Sequence, residues 1–353
     1  MKRTLFLVML FFCVSLIACK TGNMTEHETK FNQMMELCGK DGVTIIEERQ
    51  ITKDKVIYSY DSLIRTELKK DHKRINDRIQ MWSVQLLGDY VYVIADYSNK
   101  TENDKVFCRI NYNNLKVEII LYCSEYPSLV KLNDYLLLNN NDEWTFFDNE
   151  GNVMDVEVDG TNYNLYENCY ASKDFNEKCT IYDLNFNKYE VVLNSCMRVD
   201  MLYRNYLFYV DTNIEMKCVN VETNVLCDKQ QTKELIEQAN NDKQIKYYVS
   251  SNEVKSYNNH EVITSLEDLR KLNDYINITE EIFNTNCSII KVIELDGVLY
   301  IAVGNDDSFF GLATTKMTYS LIYKLCEDKT IKYVGCSGSA YAYILGVIDT
   351  DLE

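Results

Sequence analysis

The chain is poor in the residues that most often announce chemistry. It has three histidines, His27, His72 and His260, and none stands in a His-Glu-x-x-His or other metal-ligand spacing. No Cys-x-x-Cys occurs among its thirteen cysteines, so the usual zinc and thiol-redox spacings are missing. No glycine-rich phosphate loop is present, and no Gly-x-Ser-x-Gly elbow; the nearest text, Gly335-Cys-Ser-Gly-Ser339, breaks the spacing and reads as a tight turn between strands. Basic residues are outnumbered 37 to 54, giving a formal charge of −17. Such a body is repelled by nucleic acid and by anionic headgroups, which argues against nucleic-acid binding. Beyond the first twenty residues no segment approaches the ~20 apolar residues of a membrane-spanning helix. One proline and twelve glycines stand against 27 tyrosines, a residue that favours strands, where its ring packs and its hydroxyl stays wet.

What is present begins at residue 1. Lys2 and Arg3 form a short basic start, and Leu5–Leu16 follows as an almost unbroken apolar run. That run has the length of a secretory leader and is too short to cross a ~30 Å hydrocarbon core. Leu16-Ile17-Ala18-Cys19 comes next. This quartet resembles the lipobox of bacterial lipoproteins. The resemblance implies cleavage between Ala18 and Cys19, with a diacylglyceryl group carried by the Cys19 thiol and an acyl chain on the freed amine. One chain anchors a protein marginally at ~0.8 kcal/mol per CH₂, whereas two hold it stably. The expected organisation is a signal peptide over 1–18, a tether with a short helix over 19–42 (candidate helix Glu26–Cys38), and a single exported domain over 43–353. Loss of Lys2 and Arg3 with the leader takes the charge from −17 to −19.

Setting aside Cys13 and Cys19 leaves eleven cysteines, an odd number that cannot all pair within one chain. Several alternate with Val and Ile, as Cys108 does between Val106 and Ile110, and read as buried thiols acting as small hydrophobes. One or a few disulfides are the alternative in an oxidising exterior.

The exported part repeats. Segments 107–120, 144–158, 180–193, 216–227 and 321–334 each show an alternating apolar strand, a short polar turn and a second alternating strand. Aligned on the residue closing the first strand, the copies fall at Asn111, Asp148, Asp183 and Asn220, in steps of 37, 35 and 37, with a weaker copy at Ser256 and a last one at Lys324. Before the hairpins stand further strands opened by polar turns, such as Gly88-Asp-Tyr, Asn133-Asp-Tyr, Arg204-Asn-Tyr and Asp296-Gly-Val. A unit of about four short strands in ~35–50 residues is the period of a β-propeller blade. Strands Val43–Ile46 and Val56–Tyr60 near the start, and Ala340–Ile348 at the end, suit a blade shared by both termini. The fold class expected is all-β: a β-propeller of about seven four-stranded blades, six to eight being acceptable. Short helical insertions are expected over 232–239 and 265–272, with Thr232 and Ser265 as N-caps. The alternative is a pair of two-sheet β-sandwich domains.

The chain thus resembles bacterial lipoproteins that carry propeller-like repeat domains. It lacks the quinoprotein-type blade signature of the propeller lipoproteins of outer-membrane assembly, and the Trp-Asp and Gly-Gly signatures of two other propeller families. The remaining clusters point to no chemistry. Asp155, Glu157, Asp159 and Gly160 imitate half of a calcium loop, but position twelve is Tyr166, so these acids read as the wet face of a strand. Asn139–Asp142 and Asn305–Ser308 read as turns, and His260 as a surface turn residue. No catalytic residue, metal ligand or cofactor site is assigned. The function expected is that of a lipid-anchored binding or scaffold module for a protein, peptide or glycan, at the cell membrane or outer membrane and facing the periplasm or the exterior. The alternative is a surface enzyme acting on glycans with acids in the propeller funnel.

Overall fold

The structure is a computed structural model describing Glu36, Ile75 and residues 39–70, 79–97, 105–123, 126–174, 178–193, 195–242, 246–273, 287–295, 297–305, 320–326, 328–337 and 343–349. The candidate helix Glu26–Cys38 lies, apart from Glu36, outside the described residues.

The described chain forms seven small antiparallel sheets. Blade 1 begins with β1 (Val43–Glu47), β2 (Gln50–Lys53) and β3 (Val56–Ser59). Helix α1 (Tyr60–Leu68) then leads to blade 2: β4 (Gln80–Leu87), β5 (Tyr90–Asp96), β6 (Lys105–Asn111) and β7 (Val117–Cys123). Blade 3 holds β8 (Ser128–Leu132), β9 (Tyr135–Asn140) and β10 (Glu143–Phe147). Blade 4 holds β11 (Tyr163–Tyr166), β12 (Cys169–Ser172), β13 (Cys179–Asp183) and β14 (Lys188–Val191). Blade 5 holds β15 (Cys196–Tyr203), β16 (Tyr206–Asp211) and β17 (Met216–Asn220), followed by helix α2 (Lys229–Asp242). Blade 6 holds β18 (Tyr247–Ser250), β19 (Glu253–Ser256) and β20 (Val262–Ser265), followed by helix α3 (Leu266–Asn273). Blade 7 holds β21 (Cys287–Leu295), β22 (Val298–Asn305), β23 (Ser320–Leu325) and β24 (Ile331–Ser337). The last strand, β25 (Ile344–Asp349), returns to pair with β1, placing Ile45 opposite Val347.

Two compact units result, one of Tyr60–Ile245 and one of the segments up to Ser59 and from Lys246 onward. In the first, blades 2, 3, 4 and 5 pack face on face. Strand alternation makes this possible, because successive side chains leave opposite faces. On β9, Leu136 and Leu138 join Tyr92 and Phe107 of blade 2, while Tyr135 and Leu137 join Tyr170 and Tyr182 of blade 4. On β12, Cys169 and Ala171 turn the other way, onto Leu207 and Tyr209 of blade 5. The second unit follows the same rule. Tyr300 and Ala302 of β22 meet Val43 and Ile45, while Ile301 and Val303 meet Val254 of blade 6. A central strand covered on both faces reads as a continuous apolar run, and Val91–Ala95 of β5 are fully buried.

The repeat has a local cause. Asn111 and Asp183 open the last hairpins of blades 2 and 4, Asp148 and Asn220 open the turns that end β10 and β17, and the side-chain Oδ1 of each accepts hydrogen bonds from backbone N–H groups two to four residues on. These are Asx turns, which preorganise the reversal. Asp211 makes the same turn between β16 and β17. Further along each turn one residue takes a positive φ, as at Leu115, Gly151, Phe186, Ile214 and Asn224. The strand-opening dipeptides are tight turns too, with positive φ at Gly88, Asn133, Arg204 and Gly297.

Several sequence expectations are corrected. Blades 3, 5 and 6 have three strands rather than four. At Val153 the stretch expected to be a strand keeps one bridge, to Phe147, and then leaves the sheet, passing Trp144 so closely that a Cβ on Gly160 would lie 2.3 Å from its Nε1. In blade 5 the fourth strand shrinks to the bridge Val219–Leu226 before α2 begins. Helix α2 starts earlier than expected, because Asp228, not Thr232, caps it: Gln231 N–H donates to Asp228 Oδ1 at 2.8 Å. Thr232 is interior and donates to the Asp228 carbonyl at 2.8 Å. Ser265 does cap α3, receiving Asp268 N–H at 3.2 Å. The strand read over Val56–Tyr60 ends at Ser59, and α1 takes over, burying Tyr60, Ile64 and Leu68 one turn apart. Gly335, Cys336 and Ser337 belong to β24 rather than to a tight turn. The last repeat turn opens at Cys326, not Lys324, with Asp328 supplying the carboxylate.

Candidate functional site

Cys19 and Ala18, the residues expected to carry lipidation and cleavage, lie outside the described residues, as do His27, His72, Asp306, Asp307 and Ser308. The other residues singled out in the sequence fall apart in space. His260 sits in the turn between β19 and β20 at φ 57°, with its Nδ1 2.9 Å from the Tyr248 hydroxyl, as a surface turn residue should. Asp155, Glu157 and Asp159 lie on irregular chain rather than on a strand, and they diverge. Glu157 accepts from the Tyr182 hydroxyl at 2.9 Å. Asp159 turns back on its own loop, where the Thr161 hydroxyl and then the Asn162 N–H hold its carboxyl down at about 2. Asn139 caps the β9–β10 turn by receiving Asp142 N–H at 3.0 Å. Among the described residues no three His, Cys, Asp or Glu side chains are grouped to hold a metal, and no helix is long and apolar enough to cross a membrane.

Two concave surfaces stand out, one in each unit. In the unit Tyr60–Ile245, an open groove of about 880 Å³ runs between β17 and α2. It exists because blade 5 lacks a full fourth strand. Met216 and Leu226 line one wall and Ile236 of α2 the other, with Cys227 between them. Leu226 is 53% exposed. The rim is charged. Lys217 Nζ lies 2.6 Å from Glu215 and 3.7 Å from Asp211, and Lys233 lies 3.9 Å from Glu237. The Lys217 ammonium holds the Glu215 carboxyl below its ordinary range.

In the other unit, a cavity of about 870 Å³ lies between blades 6 and 7. Tyr247, Ile263 and Leu299 form its apolar part, and Lys246, Lys324 and Lys332 its charged part. Lys246 pairs with Glu294 at 2.8 Å. Lys324 faces Lys332 directly across β23 and β24, a like-charge arrangement that costs stability.

One carboxyl group among the described residues is held above its ordinary range, that of Glu47 on β1. Burial raises it, and hydrogen bonds from Ser337 and Gln50 oppose the rise. It lines neither the groove nor the cavity. The groove was not foreseen in the sequence, because Val225 and Leu226 read there as a continuing strand. The signal for it is Asp228-Lys-Gln-Gln231, a capping box that ends any strand two residues after Leu226.

No family model and no curated protein sequence matches the chain. Among solved structures it is similar to Hsv2 from Kluyveromyces lactis, at 9% identity over 82% of this chain and 92% of that one, with a TM-score of 0.28. It is similar to the β-propeller domain of the Trilobed protease from Pyrococcus furiosus, at 10% identity over 73% and 85%, with a TM-score of 0.30. BamB from Moraxella catarrhalis is similar at 9% identity over 62% and 68%, with a TM-score of 0.23. At such scores the fold stands on the seven sheets and their alternation, not on the likeness.

Proposed function

We propose that the protein is an exported lipoprotein, cleaved after Ala18 and acylated on Cys19, whose body is a non-catalytic binding or scaffold module for a protein, peptide or glycan at a bacterial membrane surface. The observation that carries the anchoring is the complete leader: Lys2-Arg3, the apolar run Leu5–Leu16, and Leu16-Ile17-Ala18-Cys19 directly behind it. The binding role is supported by the open groove of about 880 Å³, where Met216, Leu226 and Ile236 are surrounded by charged side chains. Such a surface suits recognition of an apolar segment.

The test is fractionation of a bacterial host grown with labelled palmitate. The wild-type chain should enter the membrane fraction carrying label, and Cys19→Ser should lose both. Membrane retention of the unlabelled variant would overturn the anchoring. For the binding role, a photo-crosslinking residue at Gln230, in the groove wall, should give a discrete adduct in intact cells that Leu226→Asp abolishes. An adduct pattern unchanged by Leu226→Asp would exclude the groove.

A further inference from the structure

The groove wall holds Cys227, and the buried Cys218 faces it from β17. The bridge Val219–Leu226 is antiparallel, with Asn220 N–H donating to the Val225 carbonyl at 3.0 Å and Cys227 N–H to the Cys218 carbonyl at 2.8 Å. Continued by one residue, that register sets Cys218 across from Cys227, with the single bond from Cys227 N–H joining them. Residues across from each other on antiparallel chains have Cα atoms about 4.5–5.5 Å apart, inside the ~4.4–6.8 Å range over which a disulfide closes. Directly opposed residues also leave the ladder on the same side. Accordingly both cysteines pack in one cluster with Met201, Phe208 and Met216. Burial, and then the neighbouring Cys227, push the Cys218 thiol up.

No other two described cysteines are opposed in this way. Cys108 and Cys123 sit on paired strands, but Cys123 faces Lys105 and Cys108 faces Ile119. Cys169 faces Asp183, Cys196 faces Asp211 and Cys336 faces Leu321. Exposure differs within the pair as well, since Cys218 is buried and Cys227 half-buried in the groove wall.

We infer that Cys218 and Cys227 form a redox site: a dithiol, free in this structure, that closes to a disulfide on exposure to a disulfide oxidant. Cys227, the accessible thiol, attacks as its thiolate and expels one oxidant thiolate, forming a mixed disulfide. Cys218 then gives up its proton and attacks the Cys227 sulfur, releasing the second oxidant thiol. The two cysteines lose two electrons and two protons, and the oxidant disulfide becomes two thiols. The new bond ties the segment entering α2 to β17, so the groove wall is pinned in the oxidised form. Closure needs an oxidant and not a tether, so it is independent of lipid anchoring.

The test uses the full chain, folded, incubated with oxidised glutathione, then denatured in iodoacetamide and digested with trypsin. Residues 218–229 form one tryptic peptide holding both cysteines. After oxidation that peptide should carry no alkyl group and weigh about two mass units less than the unalkylated dithiol, the two hydrogens lost. A glutamate-specific protease should cut it after Glu222 into halves that stay joined until reduced. Reduction should lower the melting temperature of oxidised protein by on the order of 5 °C, and Cys227→Ser should show no such change. Full alkylation of both cysteines after oxidant treatment, or their capture by other cysteines, would overturn the inference. Misfolding of Cys227→Ser would leave the peptide masses to decide.

Discussion

Removing one hydroxyl between blades 3 and 4 probes whether their faces are packed as described. Tyr135 of β9 and Tyr170 of β12 share a hydrogen bond of 2.9 Å in the interior, where their residues are 6% and 0% exposed. Burial pushes both phenols up, that of Tyr135 to about 12. Changing Tyr170→Phe keeps the ring, which stacks on Phe186 with planes 6° apart, and strips the hydroxyl partner from the buried Tyr135. An orphaned buried hydroxyl costs about 1–3 kcal/mol, whereas removing both partners together is far less damaging. Each single variant, Tyr135→Phe or Tyr170→Phe, should therefore lose about 1–3 kcal/mol, and the double variant no more than either single. The assay is denaturant unfolding followed by tyrosine and tryptophan fluorescence, with midpoints compared at constant slope. A double variant whose loss equals the sum of the singles would refute the reasoning, because the two hydroxyls would then act independently.

Ile214 is a β-branched residue at φ 64° and 79% exposed, so its backbone strain is offset by little packing; Ile214→Gly should stabilise by about 0.5–1 kcal/mol in thermal melts. Asp183 fixes its turn through Asn185 and Asn187, so Asp183→Ala should cost about 1 kcal/mol in denaturant unfolding, and Asp183→Asn should recover most of it. Because burial holds the Glu47 carboxyl above its unfolded value, the folded state binds that proton more tightly. Stability from this group is fully present below the ordinary glutamate range and is lost as pH rises through the elevated one, so Glu47→Gln should flatten the fall in melting temperature across that window. Gly160→Ala should destabilise by more than about 1 kcal/mol and shift tryptophan emission, because its Cβ would meet Trp144 and the Asp142 carbonyl at 2.3 Å.

The blades were legible because each repeat is announced by a residue with a mechanical job. Asn111, Asp148, Asp183 and Asn220 recur because an Asx turn must follow the strand they close. Central strands were legible because two covered faces demand continuous apolar runs. The outer strands were not. An outermost strand pairs on one side only, so its alternation, as in Val153–Val158, can be kept by irregular chain that buries Val158 against a neighbour instead of joining the ladder. Helix α1 was hidden because Val56-Ile-Tyr-Ser-Tyr60 alternates straight into it, and its own period shows only once Ile64 and Leu68 are read with Tyr60. The groove followed from that same blind spot, since it occupies the place where blade 5 stops short of a fourth strand.

Intact-mass measurement of the protein purified from the membranes of a bacterial host bears most directly on the anchored-module account. The account predicts a chain beginning at Cys19 and heavier than its residues by the mass of attached acyl groups. A chain that keeps Met1–Ala18, starts elsewhere, or carries no added hydrocarbon would contradict it.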